Sequence, residues 1–122
     1  MTTSLTYVIK FVEDMDRAVQ FHVDKLELKL RFKSPQWSEF DTGTTTLALH
    51  IASSENLAGT CQLGLGVPDI QQFYRKALNN GVQFTSPPTD LHGRRIAKLR
   101  DIDGAECSVS GPYLADHAPN RV

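Results

Sequence analysis

The chain has 122 residues, 40% hydrophobic and 22% charged, with a formal net charge of −1. That is the make-up of one ordinary globular domain, or of two small modules sharing a core. It excludes a strongly basic nucleic-acid-binding surface, because cations neither exceed anions nor gather on one element, and no apolar run reaches the roughly 18–20 residues that span a bilayer.

In chain order, residues 5–12 are rich in β-formers and read as a strand. Tyr7, Ile9 and Phe11 lie on one side of it, and Val8, Lys10 and Val12 on the other. Asp14 caps a helix over 15–25. Met15, Ala18, Val19, Phe21, His22, Val23 and Leu26 form its buried stripe, with His22 read as a helix-flank side chain rather than a ligand. Strands follow at 28–33 and 37–41, Thr42-Gly43 turns the chain, and a third strand runs 45–51. Residues 52–60 are small and polar and read as a linker.

A second start follows. Residues 62–67 form a strand with Leu63, Leu65 and Val67 toward the core. Asp69 caps a helix over 70–79 with an apolar stripe of Ile70, Phe73, Tyr74, Ala77 and Leu78, and Gly81 supplies the left-handed residue that ends it. A strand at 82–85 is stopped by Ser86-Pro87-Pro88, 89–93 is an exposed loop, and strands at 94–100 and 105–110 close the unit. Between the last two, Asp101-Ile102-Asp103-Gly104 is a tight turn, with carboxylates accepting backbone N–H groups and Gly104 at positive φ.

The two halves repeat. Val12-Glu13-Asp14-Met15 matches Val67-Pro68-Asp69-Ile70 at an offset of 69 − 14 = 55 residues. At that offset Tyr7 falls on Gln62 and Ile9 on Gly64. Two copies of β-α-β-β-β imply a single α+β domain with pseudo-two-fold pairing. Its first module covers about 5–51, its linker 52–60, its second module about 61–111, and its tail 112–122 is loosely held. The expected sheet is cupped and mostly antiparallel, with the helices outside. Cys61 and Cys107 form no CxxC pair; they read as two buried thiols in a reducing, cytoplasmic setting, and Met1-Thr2-Thr3-Ser4 carries no basic and apolar leader.

Several stretches together resemble the vicinal oxygen chelate superfamily of glyoxalases, extradiol dioxygenases, fosfomycin-resistance enzymes and bleomycin-binding proteins. They are residues 7–15, Trp37-Ser38-Glu39-Phe40, Leu47-Ala48-Leu49-His50, residues 63–69, Asn80-Gly81-Val82 and Asp101-Ile102-Asp103-Gly104. The resemblance implies a ligand in the concave side of the sheet and, in metal-using members, four ligand positions. Two of them open the first strand of each unit, seven residues before the capping aspartate; here they are Tyr7 and Gln62. The last strand of the second unit offers Ser108, four residues after the turn glycine, where a glutamate is usual. The first unit's last strand offers Ala48 and His50. Only His50 is a good ligand for a borderline metal, so a divalent cofactor is not expected.

Alternation puts Trp37 and Glu39 on the concave side if Phe40 faces the core, with Ile96 and Lys98 at the matching places of the second unit. Glu39 and Lys98 then face each other, either as general base and anion holder or as an ion pair at the sheet edge. Trp37 and Tyr7 stack a planar ligand or fill core. Gly64 and Gly66 leave space for a ligand or for close packing. His92-Gly93-Arg94-Arg95 forms a rim whose arginines clamp an anion or stay solvated. His50 transfers protons or walls the pocket. The leading reading is a metal-free binder of a small planar or amphipathic molecule, using Tyr7, Trp37, His50, Gln62, Gly64, Lys98 and Ser108. The rivals are a glyoxalase-like lyase or isomerase using His50 and Glu39, and a homodimer with a vestigial pocket.

Overall fold

A computed structural model describes residues 2–91 and 93–112. They divide into two compact units, 6–63 and 64–112 together with 2–5. Both have the α+β, mostly antiparallel plan expected from the sequence. The rim residue His92 and the tail from Tyr113 lie outside the described residues.

The first unit holds β1 (Ser4–Val12), α1 (Met15–Asp24), β2 (Lys29–Lys33), β3 (Trp37–Asp41) and β4 (Thr46–Ile51), in the sheet order β2-β3-β4-β1. β1 and β4 are parallel because α1 carries the chain over one face between them; the two other pairings are antiparallel. The Asp14 carboxylate caps α1 by accepting the Arg17 N–H at 3.1 Å. Met15 and Val19 then bury against Val12, Phe40 and Leu49. His22 lies inside this packing rather than on the helix flank: it is 3% exposed, its Nδ1 is 2.7 Å from the Ala18 carbonyl, and its ring stacks on Phe40. Phe21 and Leu26, placed in the buried stripe by periodicity, are half exposed, because a sheet touches only one narrow side of a helix.

The second unit repeats the plan with β5 (Cys61–Gly66), α2 (Ile70–Asn79), β6 (Gln83–Leu91), β7 (Arg94–Arg100) and β8 (Glu106–Pro112), in the order β5-β8-β7-β6. Asp69 caps α2 through the Gln72 N–H, and Gly81 takes φ +85° after its last turn. Val67, Ile70, Ala97 and Val109 form the core under α2. In the β7–β8 turn, the Asp101 carboxylate accepts the N–H groups of Asp103 and Ala105 at 2.9 and 3.0 Å, with Gly104 at φ +87°.

Three expectations change. β6 does not stop at Ser86 but runs through Pro87 and Pro88 to Leu91, absorbing the segment expected to be a loop. It is an edge strand, so a missing N–H costs no ladder bond, and its register shifts on both sides of Ser86 leave the prolines unpaired. Leu63 is half exposed rather than in the core, while Leu65 and Val67 pack under α2. Cys61 is exposed and Cys107 only partly buried, so neither is the buried thiol expected from the sequence. Among the described residues no helix is long and apolar enough to cross a membrane.

Gly111 sits where no side chain fits: a Cβ there would lie 2.7 Å from the Val67 carbonyl oxygen. Gly111→Ala should therefore destabilise by about 1–3 kcal/mol through forced displacement of β8 from the start of α2. Asp69→Ala removes one cap and should cost about 1 kcal/mol. Urea unfolding of both variants checks the order; an alanine at 111 that is neutral would contradict the packing.

Candidate functional site

Phe40 is fully buried on the α1 side of β3. Alternation therefore turns Trp37 and Glu39 to the other face, the one α1 leaves uncovered. Register does the rest. Trp37 pairs with His50 and Glu39 with Ala48 on β4, while Phe11 pairs with His50 and Tyr7 with Thr46 across β1. The rings meet in edge contacts: Tyr7–Trp37 at 5.8 Å, Trp37–His50 at 5.9 Å, and a tilted Phe11–His50 pair at 5.6 Å. Ile9, Phe11 and Ala48 form the buried base of this face, and Tyr7, Trp37 and His50 stay partly open.

The polar atoms of the face are held in place. Glu39 Oε2 accepts Trp37 Nε1–H at 2.8 Å. Its Oε1 accepts from Arg31 Nη2 at 3.1 Å and Nε at 3.3 Å, and the same Nη2 donates to Thr46 Oγ1 at 2.6 Å. Arg31 is the partner that reading the sequence missed. β2 carries an irregular register between Leu30 and Phe32, so simple alternation does not announce the direction of its side chains. His50 Nδ1 lies 2.7 Å from the Ile51 carbonyl. A carbonyl only accepts, so the proton is on Nδ1, and in the neutral ring Nε2 is left with its lone pair.

The corresponding face of the second unit differs in character. Gly64 pairs with Ser108 and Gly66 with Ser110 on one side of β8; Lys98 pairs with Ser108 and Ile96 with Ser110 on the other. Gly64, Lys98 and Ser108 thus come together in one row. The equivalent row of the first unit is Ile9, Ala48 and Glu39. Gln62 is buried on β5. Glu39 and Lys98 occupy equivalent register positions, each in its own unit; the described ion-pair partner of Glu39 is Arg31.

The matched rows also test the donor set for a glyoxalase-type metal. Ile9 aligns with Gly64 and both face the last strand, so Ala48 is the counterpart of Ser108, and His50 the counterpart of Ser110. The four ligand positions are then Tyr7, Ala48, Gln62 and Ser108, a set with no imidazole, thiolate or carboxylate. Among the described residues no three His, Cys, Asp or Glu side chains are grouped to hold an ion. A metal of that type does not fit these residues.

A cleft of about 500 Å³ lies elsewhere in the first unit, lined by Glu13, Asp14, Met15, Asp16, Lys33, Ser34, Pro35 and Ile51. Its one cation, Lys33, is already paired with Asp16 at 2.8 Å. The sequence signal was the acidic Glu13-Asp14-x-Asp16 run, which reads first as a helix start.

Direct comparison identifies the family of this β-α-β-β-β repeat, in which the first and last strands of each unit pair in parallel and a helix covers one face. Residues 4–109 match the model of the Glyoxalase/Bleomycin resistance protein/Dioxygenase superfamily, and the chain belongs to that superfamily. It is 32% identical over 111 residues to the uncharacterized protein YurT of Bacillus subtilis (strain 168), covering 77% of this chain and 87% of that one. Among solved structures, it resembles a hypothetical protein from Bacillus halodurans C-125, with TM-score 0.76, 19% identity, and 98% and 100% of the two chains covered. It also resembles methylmalonyl-CoA epimerase from Mycobacterium tuberculosis, with TM-score 0.74, 18% identity, and 90% and 88% covered. At these identities the structural likeness is one of fold.

The cysteines give a pH test of the second unit. Burial pushes the Cys107 thiol above its ordinary range, and the Asp101 carboxylate adds to the effect. A raised thiol favours the folded state below the unfolded value of about 8.5, and that contribution is lost as pH rises through the folded value. With iodoacetamide at pH 8, the exposed Cys61 should be alkylated first, with Cys107 following only at higher pH. Peptide mass mapping over time reads this, and equal rates at pH 8 would count against the buried thiol.

Proposed function

We propose that the protein binds a small planar or amphipathic molecule without a standard metal on a sheet face that a helix leaves uncovered. In the first unit, Tyr7, Trp37 and His50 supply an apolar contact surface. On the uncovered face of the other module, Gln62, Gly64, Lys98 and Ser108 supply space and polar contacts. The observation that carries this reading is the state of Glu39. Both of its oxygens are engaged, one by Trp37 and one by Arg31. A carboxylate so occupied fixes the indole and is poorly placed to take a proton, so the cluster is built as a preformed recognition surface. Half-buried edge-packed rings with a lone pair at His50 Nε2 suit a flat ligand that carries one hydrogen-bond donor.

A second reading, a lyase or isomerase with His50 as the proton-transfer group, draws on the same Nε2 and on the fold shared with methylmalonyl-CoA epimerase. The family's metal-ligand positions offer it little support here. Metal analysis of protein purified without chelator separates the two. Binding alone predicts sub-stoichiometric metal and a melting temperature unmoved by chelation.

Trp37 is the chain's single tryptophan, so its fluorescence reports on this face directly. Titration with a panel of planar amides and heterocycles, benzamide among them, should give saturable quenching for some members. His50→Ala should weaken that binding roughly tenfold, the value of one hydrogen bond to a partly buried acceptor. A panel that leaves Trp37 emission and melting temperature untouched, or stoichiometric metal lost together with stability, would overturn the proposal.

A further inference from the structure

We infer that the uncovered face of the second unit is an oxyanion site, which takes a carboxylate or phosphate group through Lys98 and Arg94 over the hydroxyls of Ser108 and Ser110. The inference rests on the reading of the uncovered faces as ligand surfaces and names the chemical group that this one face takes.

β7 and β8 pair without interruption from Arg94–Pro112 to Arg100–Glu106. Ala97, Leu99 and Val109 pack under α2, so Arg94, Ile96, Lys98 and Arg100 all point the other way. That face therefore carries three cations from β7 against one carboxylate, Glu106. Glu106 accepts from the Thr85 hydroxyl at 2.7 Å and stands opposite Arg100 in the ladder, so its charge is answered locally. Arg100 turns to the Gly104 carbonyl at 2.8 Å.

Lys98 and Arg94 have no such answer. Among the described residues neither is in an ion pair, although Lys98 is partly buried. Lys98 stands between Ser108 on β8 and Ser86 on β6, with a hydroxyl on each side. Arg94 is exposed but tethered. Its Nη2 reaches back to Ser110 Oγ at 3.3 Å, and Ser110 is the ladder partner of Ile96, two residues nearer to Lys98. The guanidinium is therefore tied to the ladder position next to that of Lys98, with a serine hydroxyl at each of the two positions. Two cations held at adjacent positions without a counter-ion repel one another, and an oxyanion between them removes that cost. Gly64, beside Ser108, adds no side chain to fill the place.

The test uses the full ¹⁵N-labelled chain and amide NMR, with inorganic phosphate, acetate and chloride titrated separately at constant ionic strength. Phosphate or acetate should shift the amide signals of Lys98, Ser108 and Ser110 saturably, chloride should not, and the stronger of the first two names the oxyanion. Lys98→Met and Arg94→Gln should each weaken binding roughly tenfold or more, as expected for loss of a charge-assisted bond, while the rest of the spectrum reports an intact fold. Equal shifts with chloride, or unchanged titrations in both variants, would overturn the inference. Benzamide quenching of Trp37 is measured on the same samples. Quenching without an oxyanion response defeats this inference alone; an oxyanion response without any planar ligand defeats the proposed function and leaves the oxyanion site standing.

Discussion

Each helix covers one face of its own four-stranded sheet, and nearly everything else about the molecule follows from that one-sided cover. Because side chains alternate along a strand, sealing Phe40 and Leu49 under α1 commits Trp37, Glu39 and His50 to the opposite face. Sealing Ala97 and Val109 under α2 commits Lys98 and Ser108 in the same way. A slip of one residue in either ladder would exchange core for site. The aspartate caps and the parallel pairing of first with last strand hold the register against it.

Much of this was legible in the residues. The 55-residue offset, the two capping aspartates and the Asp101–Gly104 turn are local signals with local causes, and they fixed the repeat and most element bounds. Alternation on β3 placed Trp37 and Glu39 from a single premise, the burial of Phe40. What the residues did not disclose depends on neighbours in space. Nothing in Lys29–Lys33 says that a bulge will aim Arg31 at Glu39. Nothing in Ser86-Pro87-Pro88 says that its strand lies at a sheet edge, where proline is tolerated. The stacking of His22 on Phe40 depends on a partner eighteen positions away, and Leu63, on the same face as the packed Leu65 and Val67, is left half exposed.

The duplicated scaffold has been filled in two opposite ways. At matched ladder positions the first unit has Ile9, Ala48 and Glu39, the second Gly64, Ser108 and Lys98; Trp37 is matched by Ile96. One face is aromatic with its charges internally neutralised, the other small, hydroxylated and cationic. Repetition gave the chain two surfaces of the same geometry, and substitution has separated their chemistry while the helix-facing residues kept a common role.

The prolines of β6 have one more consequence. An edge strand normally offers a row of free N–H and C=O groups on which any other extended chain can grow. Pro87 and Pro88 carry no N–H, so this stretch offers fewer donors and an interrupted register. The outer strand of the first unit, β2, is exposed along its five residues, but its Arg31 and Lys33 are already ion-paired with Glu39 and Asp16. β6 is thus chemically unable to template a neighbour over part of its length, and the chain carries there a local defence against stacking into fibrils.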